Sequence, residues 1–195
     1  GKAADSPPPN PRLAAWWREM NRVASDMDDF DLSLETTHHG PWIETPSLFI
    51  EIGSTAETWG HEEAAVVLAG IIYRGLGLDG SNGLGNWDEK GRVVVTLGGG
   101  HYAPRANMLG LHEGIWIGHM LATYALPFEK NETGKVSGMW ENSIRKAIAS
   151  TKAAYPGGEI VCSMDKKAFK GWQRQAIRDL LEELEVPLLK RAQII

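Results

Sequence analysis

The stretch that most constrains this chain is Arg92-Val-Val-Val-Thr-Leu97, which runs straight into Gly98-Gly99-Gly100. Its β-branched residues are stiff at χ1 and suit a pleated strand. An apolar run without polar alternation reads as a strand covered on both faces, the situation of a parallel sheet under helices. The flanking patterns agree. Residues 11–25 predict a helix, with Leu13, Trp16, Trp17, Met20 and Val23 near helical spacing. Residues 30–36 alternate apolar and polar, which predicts a half-buried strand, and residues 47–52 predict a second one. Ser54-Thr-Ala-Glu57 is a capping-box pattern, so a helix is expected by residues 61–73 at the latest. Residues 115–121 fit a strand or a short helix, and period alone does not choose. Residues 137–154 predict a helix, 159–163 a short strand, and 167–185 a helix with Ile177, Leu180, Leu181 and Leu184 on one side. Strands alternating with helices imply an α/β fold: a mixed, mostly parallel sheet with helices on both faces, hence three layers.

Composition narrows the function classes. The chain's 195 residues favour one domain, with residues 1–10, rich in Pro, as a linker or truncated end and residues 11–195 as the domain. At 43% hydrophobic and 23% charged residues, disorder is excluded for most of the chain. No apolar run approaches the ~20 residues of a membrane helix. The single cysteine, Cys162, excludes an internal disulfide and cysteine-rich zinc sites, and fits a reducing, cytoplasmic setting. Any metal must be held by His, Asp, Glu or water. The net charge of −5 argues against a general nucleic-acid coat protein. Residues 143–178, however, carry +6, which leaves −11 on the rest. The six glycines of residues 75–91 predict a long, mobile surface loop.

In open α/β sheets, ligands bind beyond the carboxyl ends of the strands. Three histidine positions follow predicted strands: His38/His39, His101 and His119. Gly98-Gly99-Gly100 lets backbone approach a ligand and present N–H groups to an anion, or else forms a turn whose glycines serve packing. His101 adds a titratable imidazole, Tyr102 a stacking face or a phenol, and Arg105 a fork for phosphate or carboxylate. His38 and His39 point different ways from an extended chain, so one acts and the other is structural. His119 is either a satisfied core histidine or a ligand. Glu51 is the odd member of an apolar strand: a general base, a metal ligand, a partner for a histidine, or an edge residue facing water. Lys166, Lys170, Arg174 and Arg178 are spaced by four, with Lys167 beside them. On one helix they would form a positive stripe, for phosphate contacts or for plain solvation.

Three ordered motifs then point to a family. Glu35-Thr-Thr-His-His-Gly-Pro41, Pro46-Ser-Leu-Phe-Ile-Glu-Ile-Gly-Ser-Thr55 and Gly98-Gly-Gly-His-Tyr-Ala-Pro-Arg105 resemble the archaeal and plant type of D-aminoacyl-tRNA deacylase. Ile117-Gly-His-Met-Leu121 and Lys170-Gly-Trp-Gln-Arg174 are similar to it as well. The resemblance implies a phosphorylase/hydrolase-like α/β/α fold similar to peptidyl-tRNA hydrolase. It also implies hydrolysis of the ester between a D-amino acid and the tRNA 3′ end, with zinc as cofactor. Carried onto this chain, it implies His38, His39, Glu51, His101 and Tyr102 as catalytic candidates. Gly40, Pro41, Gly99, Gly100, Arg105, Lys166, Lys167, Lys170 and Arg174 become candidates for substrate and tRNA binding, and His38, His101 and His119 for zinc. A monomer is expected. Family members usually carry a further N-terminal segment, of which residues 1–8 look like the tail. The rival expectations are a peptidyl-tRNA hydrolase, a nucleoside phosphorylase, or a tRNA-binding remnant without catalysis.

Overall fold

The computed structural model describes residues 7–37, 43–53 and 55–195. In chain order its elements are α1 (Arg12–Val23), α2 (Ala56–Trp59), α3 (Glu62–Gly75), β1 (Arg92–Leu97), α4 (Pro104–Gly110), β2 (Ile115–Leu121), β3 (Glu129–Lys130), β4 (Val136–Ser137), α5 (Trp140–Ala154), β5 (Glu159–Met164), α6 (Gly171–Glu183) and α7 (Arg191–Ile194). β1 is the central strand of a sheet in the order β2-β1-β5, with both pairings parallel. β3 and β4 form a separate antiparallel hairpin.

The alternation of β1 builds the layers. Val93, Val95 and Leu97 join Ile144, Ile148, Ile177 and Leu181 of α5 and α6 in one core. Val94 faces the other way and meets Ala14 and Trp17 of α1 and Ala106 and Leu109 of α4. The expected three-layer α/β/α arrangement with a mostly parallel sheet is therefore the observed one. Residues 115–121, ambiguous by period, form a strand. The reason for the ambiguity lies in the ladder. Val94 pairs with Ile117, but Thr96 pairs with Met120, so β2 carries one extra residue at Gly118–His119. The bulge puts Met120 rather than His119 beside Ile117 in the α1/α4 core. Gly118 has no room for a side chain: a Cβ there would lie 2.6 Å from Thr151 Cγ2 of α5.

Two expected strands do not form. Among the described residues, residues 30–36 are irregular chain with one antiparallel bridge, Glu35 to Tyr102, and residues 47–52 have one bridge, Ser47 to Pro9. Alternation describes which side is buried, and Leu34 is indeed buried in the α1/α4 core. It says nothing about whether a neighbour offers a ladder. Residues 7–10, expected in a linker or truncated end, are partly packed: Pro9 is buried and Asn10 Nδ2 donates to the Pro46 carbonyl. The expected capping box falls partly on Ser54, which lies outside the described residues. The longer helix α3 is instead capped by His61, whose Nδ1 accepts from the Ala64 N–H at 3.2 Å. The glycine-rich stretch 75–91 is tied down. Beyond the end of α3 at Gly75 it forms no helix or strand. The Arg12 guanidinium donates to the carbonyls of Gly75 and Leu84, both at 2.8 Å, and Trp87 packs edge-on against Trp116 and Tyr155.

Candidate functional site

Three loops meet at the carboxyl edge of the sheet. The first is residues 98–103, between β1 and α4. Gly98 and Gly99 hold φ of +98° and +93°, a left-handed conformation that other residues rarely adopt. A Cβ at Gly98 would lie 2.8 Å from the Phe169 ring, so this glycine serves packing. Gly100 faces open space. The N–H groups of Gly99 and Gly100 donate to no backbone carbonyl among the described residues. The second loop follows β2. The Thr123 N–H and hydroxyl both donate to the Gly99 carbonyl at 2.9 Å, which fixes the two loops to each other. The third follows β5, where the Asp165 N–H donates to the Leu97 carbonyl and residues 166–168 turn against Gly98.

A fourth segment crosses this edge. The Thr36 N–H donates to the His101 carbonyl at 2.9 Å, and the Ala103 N–H donates to the Leu34 carbonyl. That crossing places Glu35 beside His101, with Oε1 and Nε2 3.0 Å apart and both side chains partly open to solvent. The Tyr102 ring stands edge-on to the His101 imidazole at 5.0 Å. Arg105 lies in the first turn of α4 and is half-buried. Its Nη1 reaches Ser163 Oγ at 3.4 Å, and its buried Nε has no hydrogen-bond partner among the described residues. A guanidinium is always charged, and a buried donor without a partner is costly. This one is suited to an anion.

His119 lies apart from that pair. It is 3% exposed, its Nδ1 is 3.3 Å from Thr37 Oγ1, and its backbone N–H points at Thr151 Oγ1. Burial pushes its pKa from 6.5 down to about 4, so the ring is neutral at pH 7. It lines a cavity of about 710 Å³ whose wall also includes Trp16, Met20, Phe49, Leu68, Glu35, Thr37 and Tyr102.

The other expected residues fall as follows. Glu51 is exposed at the cavity margin on irregular chain, so the cost of burying a carboxylate in a strand does not arise. His38, His39, Gly40 and Pro41 lie outside the described residues. The positive stripe does not form, because α6 begins only at Gly171. Lys166 and Lys167 sit in the turn before it, Lys170 is its cap, and only Arg174 and Arg178 are on the helix. Arg174 is used structurally, its Nη1 donating to the carbonyls of Lys166 and Phe169 at 3.0 and 2.6 Å. Lys166, Lys167 and Lys170 remain exposed on the segment that packs against Gly98. Sequence reasoning missed Glu35, Thr37 and Tyr124 as individual residues. Glu35 and Thr37 stood inside the first motif, which was the available signal.

Among the described residues, no three His, Cys, Asp or Glu side chains gather as a metal cage. His101 and His119, two of the three expected zinc ligands, are engaged by Glu35 and Thr37 respectively. No helix among the described residues is long and apolar enough to cross a membrane.

Comparison with known proteins supports the fold and identifies the family. The family model described as D-aminoacyl-tRNA deacylase matches residues 1–189. A D-aminoacyl-tRNA deacylase of Arabidopsis thaliana is 42% identical over 196 residues, covering 94% of this chain and 62% of the relative. One of Methanosarcina barkeri is 35% identical over 178 residues, covering 90% of this chain and 49% of the relative. The chain thus spans about half to three-fifths of these relatives' length. The crystal structure of a conserved protein of unknown function superposes with a TM-score of 0.75 at 27% identity, over 100% of this chain and 61% of that one. The chain belongs to the D-aminoacyl-tRNA deacylase family.

Proposed function

We propose that this chain carries the hydrolytic site of a D-aminoacyl-tRNA deacylase, which releases a free D-amino acid and tRNA. The observation that carries the reading is the Glu35–His101 pair at the carboxyl edge of a parallel sheet, between Gly99, Gly100 and Arg105 and the mouth of an apolar cavity. With Nε2–H directed to the Glu35 carboxylate, Nδ1 of His101 carries the lone pair. It takes a proton from water as the water oxygen bonds to the ester carbonyl carbon. The N–H groups of Gly99 and Gly100 stabilise the oxyanion. Collapse breaks the bond to the ribose oxygen, which receives the proton from His101. Arg105 and the cluster of Lys166, Lys167 and Lys170 take terminal phosphates. The cavity takes the aminoacyl group, with neutral His119 in its wall. Selection of the D form is then steric rejection of the L side chain.

A zinc ion on His38, His101 and His119 rests on the family resemblance. Among the described residues, the donors do not assemble around a metal. A monomer acting in the cytoplasm belongs to the same proposal.

The test is deacylation of D-Tyr-tRNA against L-Tyr-tRNA, with and without a chelator and added zinc. Faster turnover of the D ester supports the proposal. Turnover lost to chelator and restored by zinc adds the metal; indifference to chelator removes it. Binding of tRNA without turnover favours the tRNA-binding reading. Cleavage of N-acetyl-L-aminoacyl-tRNA favours a peptidyl-tRNA hydrolase, and phosphate-dependent release of a nucleobase favours a phosphorylase.

A further inference from the structure

Two exposed phenol rings stand on the segments that meet at the His101 loop, and only Tyr102 belongs to the glycine-rich motif. The other is Tyr124, in the turn Thr123–Ala125 just after β2. Tyr102 is 53% exposed and Tyr124 59% exposed. A single exposed aromatic is ordinary on a protein surface. Here both are held in place. The Tyr124 hydroxyl lies 3.4 Å from Thr36 Oγ1, and the Thr36 hydroxyl itself donates to the His101 carbonyl at 3.1 Å. One residue earlier, Thr123 is locked to the Gly99 carbonyl by two hydrogen bonds, and two residues later Leu126 is buried in the core. Tyr102 is fixed at the backbone by the bridge to Glu35. Tyr124 is thus tethered through its hydroxyl and Tyr102 through its backbone and its edge-on contact with His101, while much of each ring faces water.

The surrounding charge has a direction. On the β5 side of the same edge lie Arg105, whose Nε has no hydrogen-bond partner among the described residues, and the exposed Lys166, Lys167 and Lys170. On the β2 side lies Tyr124. Aromatic surface at one end and cations at the other match an unpaired nucleotide, whose base has an apolar π-face and whose phosphate is anionic. We infer that Tyr124, with Tyr102, is a stacking platform for the terminal base of a single-stranded 3′ end, whose phosphates run toward Arg105 and the lysines. This rests on the proposed deacylase reading for its substrate. The platform itself is a claim about binding a nucleotide, which is separable from turnover.

The experiment measures binding of AMP and of ribose 5-phosphate to the full chain and to Tyr124→Ala, Tyr124→Leu and Tyr124→Phe. Folding of each variant is checked by circular dichroism. Base stacking on an aromatic ring is worth about five- to a hundredfold in affinity. AMP binding should therefore weaken at least about fivefold in the Ala and Leu variants and stay within about threefold in the Phe variant. Ribose 5-phosphate, which keeps the anion and lacks the base, should bind all four proteins alike. With D-Tyr-tRNA, the Ala variant should raise KM by a similar factor and leave kcat nearly unchanged. AMP affinity indifferent to Tyr124, an equal loss for ribose 5-phosphate, or no AMP binding at about 10 mM would each overturn the platform. If the wild-type chain fails to deacylate D-Tyr-tRNA while AMP binding still depends on Tyr124, the deacylase reading falls and the platform stands.

Discussion

Nε2 of His101 lies 3.0 Å from Oε1 of Glu35, and the two residues come from segments joined by the single bridge between Glu35 and Tyr102. A carboxylate in that position orients an imidazole and stabilises its protonated form as it takes a proton. General base catalysis contributes about a hundred- to ten-thousandfold. His101→Ala should therefore lower kcat/KM for D-Tyr-tRNA by about a thousandfold with the far-ultraviolet dichroism unchanged. Glu35→Gln keeps an acceptor for Nε2–H and loses the charge, so a smaller drop, on the order of tenfold, is expected. Full turnover by His101→Ala removes the imidazole from the chemistry.

Much of the fold was legible because β1 is a continuous apolar run, whose burial on both faces forces helices onto both sides. The site was legible where chemistry and strand end coincide, as in residues 98–105. Other features were hidden for identifiable reasons. Glu35 reads as the polar member of an alternating segment, and nothing local says that His101 will reach it. The bulge in β2 is a relation between two strands, so no count along residues 115–121 alone places His119. The four-residue spacing of Lys166, Lys170 and Arg174 holds meaning only within one helix. Here the Asp165 side chain accepts from the Lys167 N–H and turns the chain before α6 begins.

Gly98 and Gly100 should behave differently from each other. Gly98→Ala adds a Cβ 2.8 Å from the Phe169 ring and 3.0 Å from Ala168 Cβ, at a φ of +98°. It should destabilise the fold by about 1–3 kcal/mol and lower the melting temperature. Gly100→Ala meets nothing within 4 Å and carries no positive φ. That variant should melt close to wild type. It should nonetheless lose most turnover if a ligand approaches the backbone there, and unchanged kinetics would show that Gly100 touches no substrate.

The basic residues divide the same way. Replacing Lys166, Lys167 and Lys170 together by Gln should leave stability nearly unchanged. It should weaken tRNA binding and flatten the slope of log affinity against log salt by about 0.7 for each phosphate that is no longer neutralised. Arg174→Ala should do the reverse, because its guanidinium holds the carbonyls of Lys166 and Phe169. A loss of about 1–2 kcal/mol in urea unfolding is expected, with a much smaller change in salt slope. A salt slope unaltered in the triple variant would place the tRNA elsewhere.

His119 makes the stability depend on pH with a definite sign. Burial lowers its pKa from 6.5 to about 4, so between those values the unfolded chain binds a proton that the folded chain does not. Stability is therefore full above about pH 6.5 and falls as the solution is acidified toward pH 4. The difference of about 2.5 units corresponds to about 3 kcal/mol. Urea unfolding at pH 7 and at pH 4.5 measures it. His119→Asn keeps a polar side chain near Thr37 Oγ1 and removes the titration. It should be less stable than wild type at pH 7 and should lose less stability on acidification. An equal loss in both proteins would mean that the imidazole takes up its proton in the folded state, and so reaches water through the cavity that it lines.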